Sequence, residues 1–497
     1  MVYVRERKRG KHIYLEEVKS ERINGKVKQV HVRYIGKKVD DKTILSGSID
    51  RAEITKVSIY GPLLILHEVC KLLEIDEILG EDAPLILCLV YAHCVQPGSV
   101  RWIEKWFSRT DLNNLLQLEK VTYDKLLKAL DNIEANSLSI QRRLFDTAQK
   151  KFKLPLSSLF YDVTNVYFYG CSCPMAKPGY NKEKIKQPQV QIGLAVTKEE
   201  KIPIFHKVFD GNVHGTKTIH DILAIFKDIE INNITLVWDR GVTSKNSLKD
   251  AKALGCEVIC GLSMDKTIKA AIDDIISDHS LNNLENRVQL KNSTLYAKQK
   301  RYNHKGVSGY LTICLNKKDK LSRSEERRKR INLVVDDKKK GKPVPKQLKK
   351  YIKYKNIDQK ALDEVEKYDG ISVIFSTKKL PKNEIIKAYF EKDVVEKTFR
   401  TMKSSLEVRP IRHWLKDRVK SHILICYIAY FFMSVLEYKL KKMNITANGA
   451  LDILSTVYRI QIKDPKTKNE FTKTVTLSKE QERILKAINK NMLKCSG

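Results

Sequence analysis

From about residue 155 the chain runs through short apolar segments and helical segments in an order that limits the folds open to it. Leu159-Phe-Tyr-Asp-Val-Thr is a run of buried-strand type, and Val190-Gln-Ile-Gly-Leu-Ala-Val and Ile204-Phe-His-Lys-Val-Phe are two more. Residues 218–227 then read as a helix and Ile234-Thr-Leu-Val-Trp-Asp as a strand. Residues 245–254 read as a second helix and Cys256-Glu-Val-Ile-Cys as a further strand. Three strands followed by alternating helix and strand make a mixed α/β sheet.

RNase H-like folds have that order. The alternation is interrupted from 263 to 369 and resumes with Gly370-Ile-Ser-Val-Ile-Phe-Ser-Thr, then a helix over 382–406 and a long apolar helix over 419–443. The interruption holds β-like pieces such as Tyr310-Leu-Thr-Ile-Cys-Leu, a short helix at Glu325-Glu-Arg-Arg-Lys-Arg and a break at Gly341-Lys-Pro-Val-Pro. Between 317 and 355 stand seventeen Lys or Arg against five Asp or Glu. Such a run is either a solvated linker or a surface that faces a polyanion. At the start, His12-Ile-Tyr-Leu-Glu-Glu-Val and Val27-Lys-Gln-Val-His-Val-Arg-Tyr-Ile flank Gly25 and predict a basic β-hairpin. That hairpin either contacts DNA or caps the next domain. The division predicted is therefore 1–55, a hairpin module; 56–152, helical; 153–262 with 370–445, an α/β core of RNase H-like order; 263–369, a β-rich basic insertion; and 446–497, a tail that the sequence leaves unassigned.

Two carboxylates stand out in this layout. Asp162 lies inside an apolar run between Tyr161 and Val163, and Asp239 ends another after Val237 and Trp238. A carboxylate at the buried end of a strand costs free energy unless it binds a metal, pairs with a cation or caps a backbone N–H. Either residue alone fits a capping or ion-paired Asp; two on neighbouring strands fit a metal site. A third carboxylate, Glu396, lies on the predicted 382–406 helix. There Tyr389, Lys392, Glu396 and Lys403 fall at offsets 0, 3, 7 and 14, within one stripe at roughly 100° per residue. The apolar stripe of Val395, Phe399, Met402 and Leu406 lies to one side. The polar stripe either faces a cleft or is a set of charge pairs on a solvated face. Three converging carboxylates would supply the hard oxygen ligands that two Mg²⁺ or Mn²⁺ ions need.

Composition points to the partner. With 93 Lys and Arg against 59 Asp and Glu, the formal net charge is +34, a natural match to a polyanion whose counterions are released on binding. The ten cysteines are scattered, with no CxxC pair, so a zinc ribbon or finger is not expected. The N-terminus lacks an apolar h-region, and the longest apolar run, residues 423–436, is shorter than the roughly 20 residues of a membrane span. The expectation is a protein without a membrane partner, cytoplasmic and not secreted.

These residues together resemble the insertion-sequence DDE transposases, in the branch with a Tyr-Arg-Glu-Lys signature. The signature Y-x2-R-x3-E-x6-K stands here as Tyr389, Lys392, Glu396 and Lys403, with Lys in place of Arg at 392. That change keeps the charge and loses the bidentate fork. Tyr161-Asp-Val-Thr-Asn and Trp238-Asp-Arg-Gly resemble the first-Asp and second-Asp motifs, and Leu406-Glu-Val-Arg-Pro-Ile-Arg-His-Trp resembles the text after the signature helix. The resemblance implies an RNase H-like core in which Asp162, Asp239 and Glu396 are catalytic and bind Mg²⁺ or Mn²⁺. It implies that Tyr389, Lys392, Lys403, Arg400 and Arg240 contact DNA, namely the terminal inverted repeats and the target. It implies nicking at transposon ends and strand transfer, with a hairpin step in relatives of this branch, by a homodimer in the synaptic complex. Two other readings share parts of this pattern: an RNase H-like nuclease that does not join strands, and an inactive DNA-binding relic.

Overall fold

The computed structural model describes residues 2–491 except 11, 24–25, 40–41, 46–52, 169–171, 180–186, 279, 292, 340–342, 346–347, 354–355 and 464–469. The chain divides into two compact units, residues 1–68 with 104–120 and 444–497, and residues 69–103 with 121–443. The turn residue Gly25 and the break at Gly341 lie outside the described residues.

The first unit carries the basic N-terminal strands. The predicted hairpin pair is the centre of a four-stranded antiparallel sheet, formed by Val2–Arg9, His12–Ile23, Lys26–Val39 and Lys42–Leu45 in that order. Its basic residues are partly neutralised within the sheet, as Arg5 pairs with Glu16 at 2.9 Å and Arg33 with Glu17 at 2.7 Å. The C-terminal tail folds in the same unit. Its strand Tyr458–Lys463 pairs antiparallel with Glu53–Ile59 on one side and Glu470–Thr474 on the other, and Arg459 binds Asp111 at 2.6 Å.

The second unit contains the large mixed sheet. Its first long element is helix α1 (Ala83–Val95), and its centre is a nine-stranded sheet. In chain order the strands are β1 (Ser158–Tyr167), β2 (Gln189–Thr197), β3 (Pro203–Asp210), β4 (Thr235–Trp238), β5 (Glu257–Leu262), β6 (Arg287–Gln289), β7 (Thr294–His304), β8 (Val307–Leu315) and β9 (Ile371–Ser376). Helix α2 (Gly215–Asp228) joins β3 to β4, and α3 (Lys245–Ala253) joins β4 to β5. The sheet order is β6-β7-β8-β9-β5-β4-β1-β2-β3. Strands β1, β2 and β3 are antiparallel neighbours, while β4 is parallel to β1 and β5 to β4. This is the strand order of an RNase H-like core.

The apolar runs form these strands because they are covered on both faces. Every residue of β2 and β4 is buried, as expected for strands sandwiched between helices. One of those helices comes from the apolar run near the end. Helix α7 (Lys416–Leu440) is long and apolar enough to cross a membrane. In this protein 94% of its most apolar window is buried, and it packs against α1 and β3. It is the core helix read from the sequence, extended at its N-terminal end by polar residues.

The stretch from 263 to 369 differs from the sequence reading. Its hairpin, β7 and β8, is a continuation of the central sheet. Strand β8 pairs with β9 through six positions, from Tyr310↔Ser376 to Leu315↔Ile371. Without it β9 would present a row of unpaired backbone groups. The basic run is not a linker. Most of it is one helix, α4 (Lys317–Lys339), four times as long as the six residues predicted to be helical. Its arginines are held by carboxylates. Arg327 makes a bidentate pair with Asp369 at 2.5 and 2.6 Å, and Arg328 another with Glu366 at 2.9 and 2.7 Å. Ile331 of α4 packs in a small core with Tyr351, Ile352 and Leu362.

The single helix predicted over 382–406 is two, α5 (Lys382–Phe390) and α6 (Asp393–Ser404). Between them the backbone tightens to i→i+3 bonds, with Lys392 N donating to Tyr389 O and Val395 N to Lys392 O. No glycine or proline marks the break. The contacts that Tyr389 and Lys392 make with Asp239, described below, accompany the break.

Candidate active site

Strand pairing brings the first two carboxylates together. The parallel ladder of β1 and β4 runs to Tyr161↔Trp238, and the next residues are Asp162 and Asp239. Neighbouring strands lie about 4.8 Å apart, so the two carboxylates leave adjacent strands at the same rung. At that rung β4 ends and β1 continues, paired only with β2 as far as Tyr167↔Gln189. The sheet therefore opens on one side of β1 at Asp162.

Asp239 is crowded with donors. Its Oδ1 accepts from the Arg240 backbone N–H at 2.8 Å and from the Tyr389 hydroxyl at 2.9 Å, and lies 2.8 Å from Lys392 Nζ. Lys392 also lies over the Tyr389 ring, 4.4 Å from its centroid. Burial by itself would raise the Asp239 carboxyl. The Lys392 charge and hydrogen bond, with the Arg240 N–H and the Tyr389 hydroxyl, outweigh it and hold the carboxyl down to about 2. The same proximity to a carboxylate, added to burial, pushes the Tyr389 hydroxyl far up, so it stays a donor. Thr243 closes the turn after Asp239, donating to Gly261 O at 3.1 Å while it accepts from Trp238 Nε1 at 3.0 Å. Tyr389 lies close against Gly261 of β5, where a Cβ would collide with its hydroxyl.

Glu396 has the opposite surroundings. It is exposed in the first turn of α6, where the helix dipole favours a carboxylate. Among the described residues it has no hydrogen-bond or ion-pair partner. Helix α6 packs on β1 and β2 through the predicted apolar stripe, since Val395, Phe399, Met402 and Leu406 are all buried. Two turns on from Glu396, Lys403 donates to Thr164 Oγ1 at 2.6 Å. Thr164 is two residues after Asp162 on β1, hence on the same face of the strand. That bond registers the helix against the strand.

Asp162 and Glu396 line one open cleft of about 480 Å³, with Thr164, Asn165, Tyr167, Arg400, Lys403 and Arg409 among its other walls. Asp162 Oδ1 also accepts from the Val163 N–H at 2.8 Å. Of the residues picked from the sequence, Arg400 and Lys403 are in this cleft, while Tyr389 and Lys392 are in contact with Asp239. Arg240 is exposed and touches Asp239 through its backbone. Sequence reasoning passed over Thr164, Asn165, Tyr167 and Arg409. The first had a signal in its two-residue spacing from Asp162, and Arg409 stands inside the quoted segment after the signature helix.

The donor set fits a divalent cation. Three carboxylates from two adjacent strands and the helix laid over one of them supply hard oxygens. One of these, Asp239, is held ionised well below neutral pH, and another, Glu396, has no ion-pair partner among the described residues of a chain of net charge +34.

Residues 154–432 match the family model described as the transposase DDE domain. The chain belongs to that family. It is a DNA transposase, and its family catalyses DNA cleavage and strand transfer and is generally divalent-metal dependent. The matched span contains Asp162, Asp239 and Glu396. Among curated proteins none matches the transposase. One similar solved structure is a cryo-EM structure of the piggyBac transposase synaptic complex with hairpin DNA, 12% identical over 80% of each chain with a TM-score of 0.39. That likeness is too distant to carry the assignment, which rests on the family match and the strand order.

Proposed function

We propose that Asp162, Asp239 and Glu396 are the catalytic carboxylates of this transposase and hold two Mg²⁺ or Mn²⁺ ions. The observation that carries the reading is the meeting of Asp162 and Glu396 in one cleft, with Asp239 on the rung beside Asp162. Bound there, such ions would activate the attacking hydroxyl and stabilise the leaving oxygen of an in-line displacement at phosphorus. The protein's own contribution is positioning and charge. Asp239 stays ionised because Lys392 and Tyr389 hold it, and Lys403 registers α6 through Thr164. Arg400, Lys403 and Arg409 put positive charge along the cleft wall, where the phosphates of a DNA strand would lie. Arg240, Tyr389 and Lys392 are one residue or one hydrogen bond from Asp239, and their DNA contacts belong to the same reading once a metal takes over that carboxylate.

The substrates are the terminal inverted repeats of the element and a target duplex, processed by a homodimer because two DNA ends must meet, and the enzyme acts on chromosomal DNA in the cytoplasm. Hairpin formation at the ends is included in the reading, and ends cut without covalent hairpins would remove that step. The deciding assay is cleavage of DNA carrying the terminal repeats, with and without Mg²⁺ or Mn²⁺, by wild type and Glu396→Gln. Metal-dependent 3′-OH ends that vanish in the variant, with binding retained, are expected. Cleavage that persists without any joined product from pre-cut ends favours a nuclease. No cleavage by a folded, end-binding wild type favours a DNA-binding relic.

A further inference from the structure

Away from the cleft, two imidazoles and a thiol converge in the helical part of the same unit. His93 is in the last turn of α1, and His422 and Cys426 lie one turn apart on α7. All three are buried, at 3%, 9% and 0% exposure. Cys426 Sγ is 3.9 Å from His93 Nδ1 and 3.9 Å from His422 Nε2, and one ligand atom from each residue falls within 4.8 Å of the others. The Leu406 carbonyl oxygen closes the group, 2.7 Å from His93 Nδ1 and 3.8 Å from Cys426 Sγ. Beside the cluster is a cavity of about 20 Å³ lined by His93, His422, His413 and Glu407, room for about one water-sized sphere.

The reaction proposed above uses none of these groups. Burial lowers His93 and His422, and takes His413 down to about 4. At neutral pH the imidazoles are therefore uncharged, the form that ligates metal. Burial pushes the Cys426 thiol up, so it keeps its proton unless a cation takes the proton's place. Two nitrogens and a sulfur make a borderline-soft set. It suits Zn²⁺ and its analogues and not the hard ions fitted to the carboxylate cleft.

We propose that His93, His422 and Cys426 bind one Zn²⁺-class ion, with the Leu406 carbonyl or a water from the cavity as fourth ligand. Binding breaks the Cys426 S–H bond, forms a sulfur–metal bond and releases one proton to solvent. The protons on the ligating nitrogens, His93 Nδ1 and His422 Nε2, move to the other nitrogen of each ring through solvent exchange, and the hydrogen bonds of those nitrogens to Leu406 O and Val408 O are given up. The thiolate cancels one of the two charges of the ion, and Glu407 at the cavity wall faces the remainder.

The placement says what such an ion would do. Leu406 and Val408 follow directly on α6, and Val408 O contacts His422 Nε2 at 3.3 Å. The ion would fasten the chain leaving α6 to α1 and α7, and so help to position Glu396 and Lys403. That consequence rests on the catalytic reading of Glu396; the site itself does not.

The test is Co²⁺ titration of the full-length protein after metal is stripped, with folding checked by circular dichroism. One equivalent should bind with tetrahedral visible bands and a sulfur-to-cobalt charge-transfer band, and Zn²⁺ should displace it. Cys426→Ser should abolish the charge-transfer band, and His422→Asn should weaken binding at least tenfold. At one equivalent, Zn²⁺ should raise the Tm of wild type by more than that of Cys426→Ser. Glu396→Gln should leave all of this unchanged, which separates failure here from failure of the cleft reading. No tight Co²⁺ or Zn²⁺ equivalent on the folded wild type would overturn the proposal. An unchanged spectrum in folded Cys426→Ser would do the same.

Discussion

Asp239, at the end of strand β4, and Glu396, on the helix packed over the sheet, are both acidic and both within the matched family region, yet the protein treats them in opposite ways. Asp239 receives a lysine, a tyrosine hydroxyl and a backbone N–H on a single oxygen, whereas Glu396 stands exposed with no partner among the described residues. A half-buried carboxylate is held ionised by such partners, and an exposed one needs none. The difference teaches that one side of the site is organised before any ligand arrives. The other side depends on where α6 is placed.

The largest expected effect breaks the exposed side. Glu396→Gln keeps the size of the side chain and removes its charge. Cleavage should fall by about 10³-fold, the equivalent of about 4 kcal/mol of transition-state stabilisation, with the melting temperature unchanged within a degree or two. Single-turnover kinetics on end-bearing DNA reads it; a loss below tenfold would show that Glu396 is not a metal ligand.

On the organised side the partners act through Asp239, so the loss should be smaller. Tyr389→Phe and Lys392→Met should each reduce the rate by about 10–100-fold and raise the metal concentration needed for half-maximal activity. If either variant matched Glu396→Gln in severity with no change in metal requirement, direct contact with DNA would be the better account of that residue.

Thr164→Val tests what places the exposed side. It removes the acceptor for Lys403 and nothing from the metal set. A few-fold loss is expected, in keeping with a charged hydrogen bond worth about 1.5–3 kcal/mol at most. Combined with Lys403→Met it should cost little more than Lys403→Met alone. Full additivity in the double-mutant cycle would break the link between β1 and α6.

The smallest effect concerns pH. The Asp239 carboxyl sits at about 2 in the fold, below its ordinary 3.8. A depressed carboxyl adds stability that is fully present above its unfolded value and is lost as pH falls through the folded one. The stability gap between wild type and Lys392→Met should therefore be constant from pH 7 to about 5 and shrink between about pH 4 and 2. Urea denaturation across that range measures it, and a gap that widened on acidification would reverse the assignment.

The parts legible in the sequence are those set by local pattern. Apolar runs at Leu159, Val190, Ile204 and Ile234 predicted strands because burial on both faces leaves little else for such runs to do. Asp162 was visible as a charge inside one of those runs and Asp239 as a charge at the end of another. The break between α5 and α6 was not, because Glu391, Lys392 and Asp393 are all compatible with a helix and only contacts with Asp239 distinguish them. The role of β8 was not legible either, since which strand lies beside β9 depends on pairing across more than fifty residues. Nor was the cluster at Cys426. A search for CxxC spacing sees neighbours in the chain, while His93 and His422 meet only because α1 packs on α7.

The order in which these pieces leave the ribosome follows from the sheet. Asp162 and Asp239 are synthesised early, but Glu396 lies beyond the whole segment that supplies β6 to β9. A nascent or truncated chain can thus assemble the paired-strand half of the centre and still lack its third carboxylate. With Glu396 as the proposed third ligand, the metal set is complete only once about four-fifths of the polypeptide has been made.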